Sequence, residues 1–404
     1  MERLIKTPYL FPDNLVKKVD NLVQDFGLYL ENYEDDILLG FDIYDRIREK
    51  LDPIIGIAKP EDAKDIVKIY EELYVGTYPY REMVFNKSVL KLIKDPNVEW
   101  IVFKNLKYEI VGCITFVLNF KNKIGYIRGL MLKKQYQGIL DITKAMVGAM
   151  VKVGEKYKDK ILIYYVENRT AHAKSQYAMK FCGITPIAFC PNKDFFLKKV
   201  ESVVFQIIYF EKVLENLRSK ETPLIIESVL GSYLFADSMF CLGEAKIITP
   251  IISLDSRKVN KCAKKLKKRI VNEKYGYKRI ILQLKHTKSY FRIVYTKTVN
   301  NFEKIEYKVK NLEELFIFAQ ELKNLIKEYQ VRYCEILVSP YEPAHQKIFK
   351  DIGLKPRGYI PCFRYNSQTG RFEDNIMFNW YKGYIDKDIK LVDDAHKLIK
   401  FIEL

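Results

Sequence analysis

The sequence has no CxxC pair, only four histidines and two tryptophans, and no apolar run long enough to cross a bilayer. Each absence excludes something. The seven cysteines (Cys113, Cys182, Cys190, Cys241, Cys262, Cys334 and Cys362) are odd in number and widely spaced. That argues against a disulfide scaffold and leaves a structural zinc ion without a ligand set. The run VVFQIIYF at 203–210 is too short for a membrane helix. The opening MERLIKTPYLFPDN has no unbroken apolar core, so it does not read as a signal peptide. The expectation is a cytoplasmic protein with free thiols, no metal and no membrane attachment.

What is present fits an ordinary globular chain of two or three domains. The chain has 404 residues, 48% of them hydrophobic and 29% charged, so a sizeable core can be buried. Lys and Arg total 68 against 51 Asp and Glu, a net charge of +17. Such an excess suits an anionic partner: a nucleotide cofactor, nucleic acid or an acidic protein. It is equally what a lysine-rich surface gives, so charge alone does not favour nucleic acid.

Residues 1–52 read as a helical preface. Asp13 can cap a helix with Leu15, Val16, Val19, Leu22, Val23 and Phe26 on one side, and a second short helix is expected over 42–50. From 53 to about 218 the order is β-α-α-β-β-β-α-β-α-β. Strands fall at 54–57, 99–103, 109–118, 125–132 and 161–166, and helices start at Pro60 and cover 87–93, 142–157 and 171–181. Gly183 is a natural residue to end the last helix. Residues 219–404 repeat part of this order, with strands at 279–284, 290–295, 305–309 and 335–338 and helices at 312–329 and 343–352. CGITPIAFCP (182–191) and IGLKPRGYIP (352–361) occupy the same place in each half, which suggests a duplication joined near 219–223. The basic run 261–269 reads as a solvated helix face, and 366–370 as the turn of a closing hairpin.

The segments IGIAKPEDAKDIVKIY, IVGCITFVL and LMLKKQYQGILDI, in this order, resemble the GNAT superfamily of acyl-CoA N-acyltransferases. The resemblance implies an α+β fold with a mixed, mostly antiparallel sheet flanked by helices, in a domain over 53–218. A second, degenerate GNAT-like domain follows over 219–404. It also implies acetyl-CoA or another acyl-CoA as cosubstrate. The backbone of Leu130, Met131 and Leu132 would face the acyl-pantetheine arm. Gln137, Gly138, Ile139, Leu140, Asp141 and Ile142 would form the pyrophosphate loop at a helix N-terminus. The family has two later glycines in that loop, and here Leu140 and Ile142 stand in their places.

The resemblance puts the family's thiolate-protonating tyrosine at Met179. Tyr177 and His172, on the same helix, are the replacement candidates, and Glu167 is a third catalytic candidate that could bind an amine directly or through water. Tyr78, Tyr80 and Arg81 in the loop between the first two helices, Tyr126 and Arg128 on one face of the fourth strand, and Asn168 are candidates for binding the acceptor. That acceptor would be a small-molecule amine or a protein or peptide amine. In the second half the cofactor loop reads VKNLEELFIFAQ, without glycine. Two functions stay open: an N-acyltransferase acting on a primary amine by direct attack in a ternary complex, and a non-catalytic tandem protein that binds acyl-CoA or another ligand, or docks on a protein or RNA partner.

Overall fold

The structure is a computed structural model, which describes residues 18–30, 36–41 and 50–402. The expected cap at Asp13 and the helix expected over 42–50 fall outside the described residues, except for residue 50. The chain forms two compact units. The first takes in 1–186, 205–217 and 390–392; the second takes in 187–204, 218–389 and 393–404. No described helix is long and apolar enough to cross a membrane.

The first unit contains α1 (Val19–Phe26), β1 (Ile37–Leu38), β2 (Ile54–Ile57), α2 (Ala63–Tyr74), α3 (Asn86–Ile93), β3 (Val98–Lys104), β4 (Ile110–Asn119), β5 (Ile124–Leu132), α4 (Ile142–Tyr157), β6 (Ile163–Arg169) and α5 (Lys174–Phe181). The hairpin of β7 (Thr185–Phe196) and β8 (Lys199–Tyr209) follows; its turn end belongs to the second unit. β3 and β4 are near-continuous apolar runs and are buried on both faces, as central strands must be. They are flanked in the order β1-β2-β3-β4-β5-β6-β8. β1 to β5 pair antiparallel in sequence, and β5 and β6 run parallel. A parallel pair needs a crossover, and α4 supplies it. α4 is apolar almost all round and is buried from Thr143 to Gly154, in contact with α1 and α5. α2 is one-sided instead, burying Ile66, Val67, Ile69 and Tyr70.

The expected strand at 161–166 begins later. Ile161 still closes the turn onto Tyr157, and Leu162 donates to Lys123, so the ladder starts at Ile163.

The second unit contains β9 (Leu224–Ile225), α6 (Leu230–Phe240), β10 (Lys246–Ile247), α7 (Ser256–Lys265), β11 (Lys267–Asn272), β12 (Tyr277–Leu284), β13 (Ser289–Thr296), β14 (Asn301–Lys308), α8 (Leu312–Glu328), β15 (Tyr333–Val338), α9 (Pro343–Asp351), β16 (Lys355–Asn366), β17 (Arg371–Tyr381) and α10 (Asp393–Phe401). The basic run 261–269 is not one helix face. α7 ends at Lys265, and Lys267, Lys268 and Arg269 are exposed on β11, an edge strand paired only with β12. Charges on an edge strand discourage pairing with another chain.

The strand order β12-β13-β14-β15-β17-β16 repeats β3-β4-β5-β6-β8-β7, again with one parallel pair, β14 and β15. Gly183 and Gly353 end α5 and α9 with φ of +81° and +103°. Each donates to the carbonyl three residues back, and the next residue donates five back, to Met179 and Phe349. The same spacing of 170 residues relates two buried glutamines. Gln176 donates to the carbonyls of Arg169 (3.0 Å) and Lys390 (2.8 Å) and accepts from Val392 N–H. Gln346 donates to Ser339 (3.1 Å) and Leu224 (2.9 Å) and accepts from Ile226 N–H. Each unit therefore ties one extended segment to its α5 or α9 by the same amide. The fold is α+β, mostly antiparallel and duplicated. The repeat departs at the sheet edge, where β2 precedes its two helices but β11 follows them.

Candidate active site of the first unit

β5 pairs with β6 only from Ile124 opposite Ile163 to Ile127 opposite Val166. Beyond that point β5 runs on to Leu132 and β6 to Arg169, and the strands part. β5 stays on β4, with a bulge: Arg128 faces Thr115 and Met131 faces Cys113, leaving Gly129 and Leu130 opposite Ile114. Lys133 donates its N–H to Val111. Because N–H groups alternate sides along an antiparallel strand, Leu132, next to Lys133, turns its backbone groups away from β4 and into the gap. The Leu132 carbonyl there accepts from the Gln137 side chain at 3.1 Å.

Only glycine suits the bulge. Gly129 has φ +66°, and a Cβ on it would lie 2.3 Å from the Tyr70 hydroxyl. Tyr70 is fully buried and its hydroxyl has no hydrogen-bond partner; burial pushes its pKa well up. Its alternation with apolar residues on α2 reads as core, so nothing in the sequence singled it out.

Tyr126 and Arg128 alternate on one face, as expected. Arg128 is paired with Glu82 at 3.3 Å, and its guanidinium lies 5.1 Å from the Tyr80 ring centre. Burial opposes its charge, and the carboxylate of Glu82 favours it, so the guanidinium stays protonated. Tyr126 stacks on Tyr165 at 4.8 Å, and Tyr165 on Phe205 at 4.9 Å. The Tyr126 hydroxyl donates to Glu167 at 3.5 Å. Tyr80, Tyr126, Arg128 and Glu167 are therefore linked, together with Glu82, which no sequence motif marks beside Arg81.

Three candidates sit differently. Tyr78 is buried, edge-on to Tyr70 and Tyr74. Arg81 is exposed. Asn168 is buried, its amide donating to Gln206 at 2.6 Å. On α5, Met179 is buried and Tyr177 is 61% exposed; the helix begins at Lys174, not 171, so His172 lies exposed in the turn before it rather than on the same helix. Gln176 holds the 390–392 segment.

The loop before α4 is closed upon itself. Gln137 N–H donates to Lys134, those of Ile139 and Leu140 to Tyr136, and that of Asp141 to Leu51. Leu51 N–H returns a bond to Ile139. The buried Asp141 carboxylate caps the helix by accepting from Lys144 N–H at 3.1 Å. The Lys144 ammonium, on a fully buried side chain, bonds Asp52 at 2.6 Å. Gly138, with φ +84°, and Ile139 are exposed in this loop, whereas Leu140 is buried. Leu130 is partly exposed; Met131 and Leu132 are buried. No group of three or more His, Cys, Asp or Glu capable of holding a metal occurs among the described residues.

In the second unit aromatic rings gather on the equivalent strand. Tyr307 on β14 lies 5.4 Å from Phe349 and 5.7 Å from Phe291, ring centre to ring centre, and meets His345 Nδ1 at 3.3 Å. Asn311 caps α8 by accepting from Glu314 N–H.

No family model and no curated protein matches the chain. Among solved structures the chain is similar to spermidine N-acetyltransferase from Vibrio cholerae, at 12% identity over 39% of this chain and 94% of that one, with a TM-score of 0.33. It is also similar to a ribosomal-protein-S5-alanine acetyltransferase from Vibrio fischeri (14%, 42% and 98%, TM-score 0.34) and to a putative phosphinothricin N-acetyltransferase (11%, 39% and 98%, TM-score 0.32). These are GNAT-fold acetyltransferases, and the chain resembles them over about two fifths of its length.

Proposed function

We propose that the first unit is an acyl-CoA-dependent N-acyltransferase, with acetyl-CoA as the expected donor, acting on a primary amine by direct attack in a ternary complex. The parting of β5 from β6 at a bulge carries this reading, because it frees strand backbone to face a thioester. The amine nitrogen attacks the thioester carbonyl carbon. The Leu130 N–H steadies the oxyanion as it forms. The C–S bond then breaks, the amine loses a proton toward Glu167 or water, and the thiolate gains one. With Met179 buried in the family's tyrosine place, Tyr177 is the proposed acid and His172 the secondary one. Tyr80, Tyr126, Arg128 and Glu167 line the acceptor side, with Tyr78 packed behind them. Arg81 and Asn168 lie at its margins.

The test is thiol release from acetyl-CoA with a panel of small amines and amine-terminated peptides. Tyr177→Phe is expected to lower turnover by about 10²- to 10⁴-fold, and His172→Ala by less. A side chain that only packs would change melting temperature and leave turnover per folded molecule unaltered. The closed loop at Asp141 favours a second reading, a tandem protein that binds a ligand without reacting it. Binding of acetyl-CoA with no thiol release from any amine would select that reading.

A further inference from the structure

We propose that the open face of β11 to β14 in the second unit binds single-stranded nucleic acid. The proposal does not depend on acyl transfer by the first unit. In the first unit the matching face is closed. Thr115 pairs with Trp100 and Arg128, and Trp100, Cys113 and Thr115 are all buried. α2 packs on β4 and β5 there, with Tyr70 against the bulge at Gly129. The second unit keeps the ladder and changes its chemistry. Glu306 follows the last residue of β14 paired with β15, as Arg128 does on β5. Their partners on the neighbouring strand, Arg292 and Thr115, therefore correspond. Tyr290 stands where the first unit has Cys113.

α8 covers the other face of these strands. Phe291 lies 5.9 Å from Phe318, ring centre to ring centre, and Lys268 pairs with Glu321 and Glu328. Alternate residues point the opposite way and form rows across the sheet. One row is Lys267, Gln283, Tyr290 and Lys308; the next is Arg269, Ile281, Arg292 and Glu306. Every member of both rows is exposed or partly exposed. Among the described residues, Lys267, Arg269, Arg279, Arg292 and Lys308 outnumber the carboxylates of this face. Those are Glu306 beside Arg292 (3.6 Å), Glu273 beside Arg279 (2.7 Å) and the buried Glu303 opposite Val294. Lys267 and Arg269 stand about 7 Å apart along β11, so each can meet one of two successive phosphates of an extended strand. Arg292 lies over the Tyr290 ring, 4.1 Å from its centre. A phenol and a guanidinium stacked on an open sheet offer a flat surface to an unpaired base. An acidic peptide would use the cations and leave that surface idle.

Fluorescence anisotropy of the full chain with a labelled single-stranded RNA of about twelve nucleotides tests the proposal. Binding is expected, weakening steeply between about 50 and 200 mM salt. The double variant Lys267→Gln, Arg269→Gln should reduce the slope of log affinity against log salt by about 1.4, since each phosphate contact on a single strand contributes about 0.7. Tyr290→Ala should weaken binding about 5- to 150-fold at fixed salt. Lys268→Gln, on the α8 face, should leave the slope unchanged. A melting curve checks that each variant folds. No binding at the lower salt, wild-type affinity in Tyr290→Ala, or an unchanged slope in the double variant overturns the proposal. So does equal displacement by polyglutamate, which would mark the face as a site for an acidic protein, or equally tight binding of a duplex of the same length.

Discussion

The two units share a strand order, a parallel pair, a glutamine that ties down an extended segment and a helix capped by Asp141 or Asn311. They differ where β5 and β14 leave their parallel neighbours. In the first unit the gap beside Leu130 and Leu132 is left to backbone, with a glycine at the bulge. In the second, pairing ends at the equivalent place, Ile305 opposite Ile336, 170 residues on from Val166, and the rings of Tyr307, Phe349 and Phe291 pack on one another beyond it. Ring packing of this kind stabilises a fold. At the end of this strand one copy carries a glycine bulge and the other a cluster of rings.

The sharpest way to break the comparison is at the bulge. Gly129→Val places a branched side chain at φ +66° and against the Tyr70 hydroxyl. Strain of this type and overpacking are each worth about 1–3 kcal/mol, so the first unit is expected to lose several kcal/mol. Hydrogen exchange should rise across β4 to β6 more than across β12 to β17. Equal loosening in both would mean that they do not hold their stability separately.

The paired glutamines give the next largest effect. Gln176→Ala and Gln346→Ala each strip partners from two part-buried carbonyls and one buried N–H. Leaving a buried polar group unpaired costs roughly 1–3 kcal/mol. The repeat predicts similar losses for the two variants by denaturant unfolding. A cost for one and none for the other would show that only one segment is truly held by its amide.

Most of the framework was legible from sequence because its signals are local. Apolar runs gave β3 and β4, and α4 lies where a helix was expected, over 142–157. Gly183 and Gly353 marked equivalent helix ends. What escaped needs the third dimension. The strand Lys267–Asn272 is hidden in a basic run because an edge strand with exposed lysines has no apolar pattern. Tyr70 looks like any buried ring until its hydroxyl is seen against Gly129. Glu82 carries no motif, and its role appears only when Arg128 of a distant strand meets it. Asp141 reads as part of a pyrophosphate loop, whereas its carboxylate caps the helix.

The smallest expected effect concerns protons at His345. Burial depresses its pKa below the ordinary 6.5, and the charge of Glu342 only partly offsets this. The other group facing the ring is the Tyr307 hydroxyl, itself pushed up by burial. The neutral imidazole is therefore favoured in the folded second unit. Between the depressed folded value and 6.5 the unfolded chain binds the extra proton, so stability rises with pH across that window. It falls as pH drops through 6.5 and levels off below the folded value. The corresponding residue of the first unit is Ser175, 170 residues earlier, which does not titrate there. Denaturant unfolding of wild type and His345→Gln from pH 5 to 8 checks this. The difference in stability between them should slope over the stated window and be flat above it. A slope that survives in His345→Gln would place the proton on another group and remove this distinction between the two units.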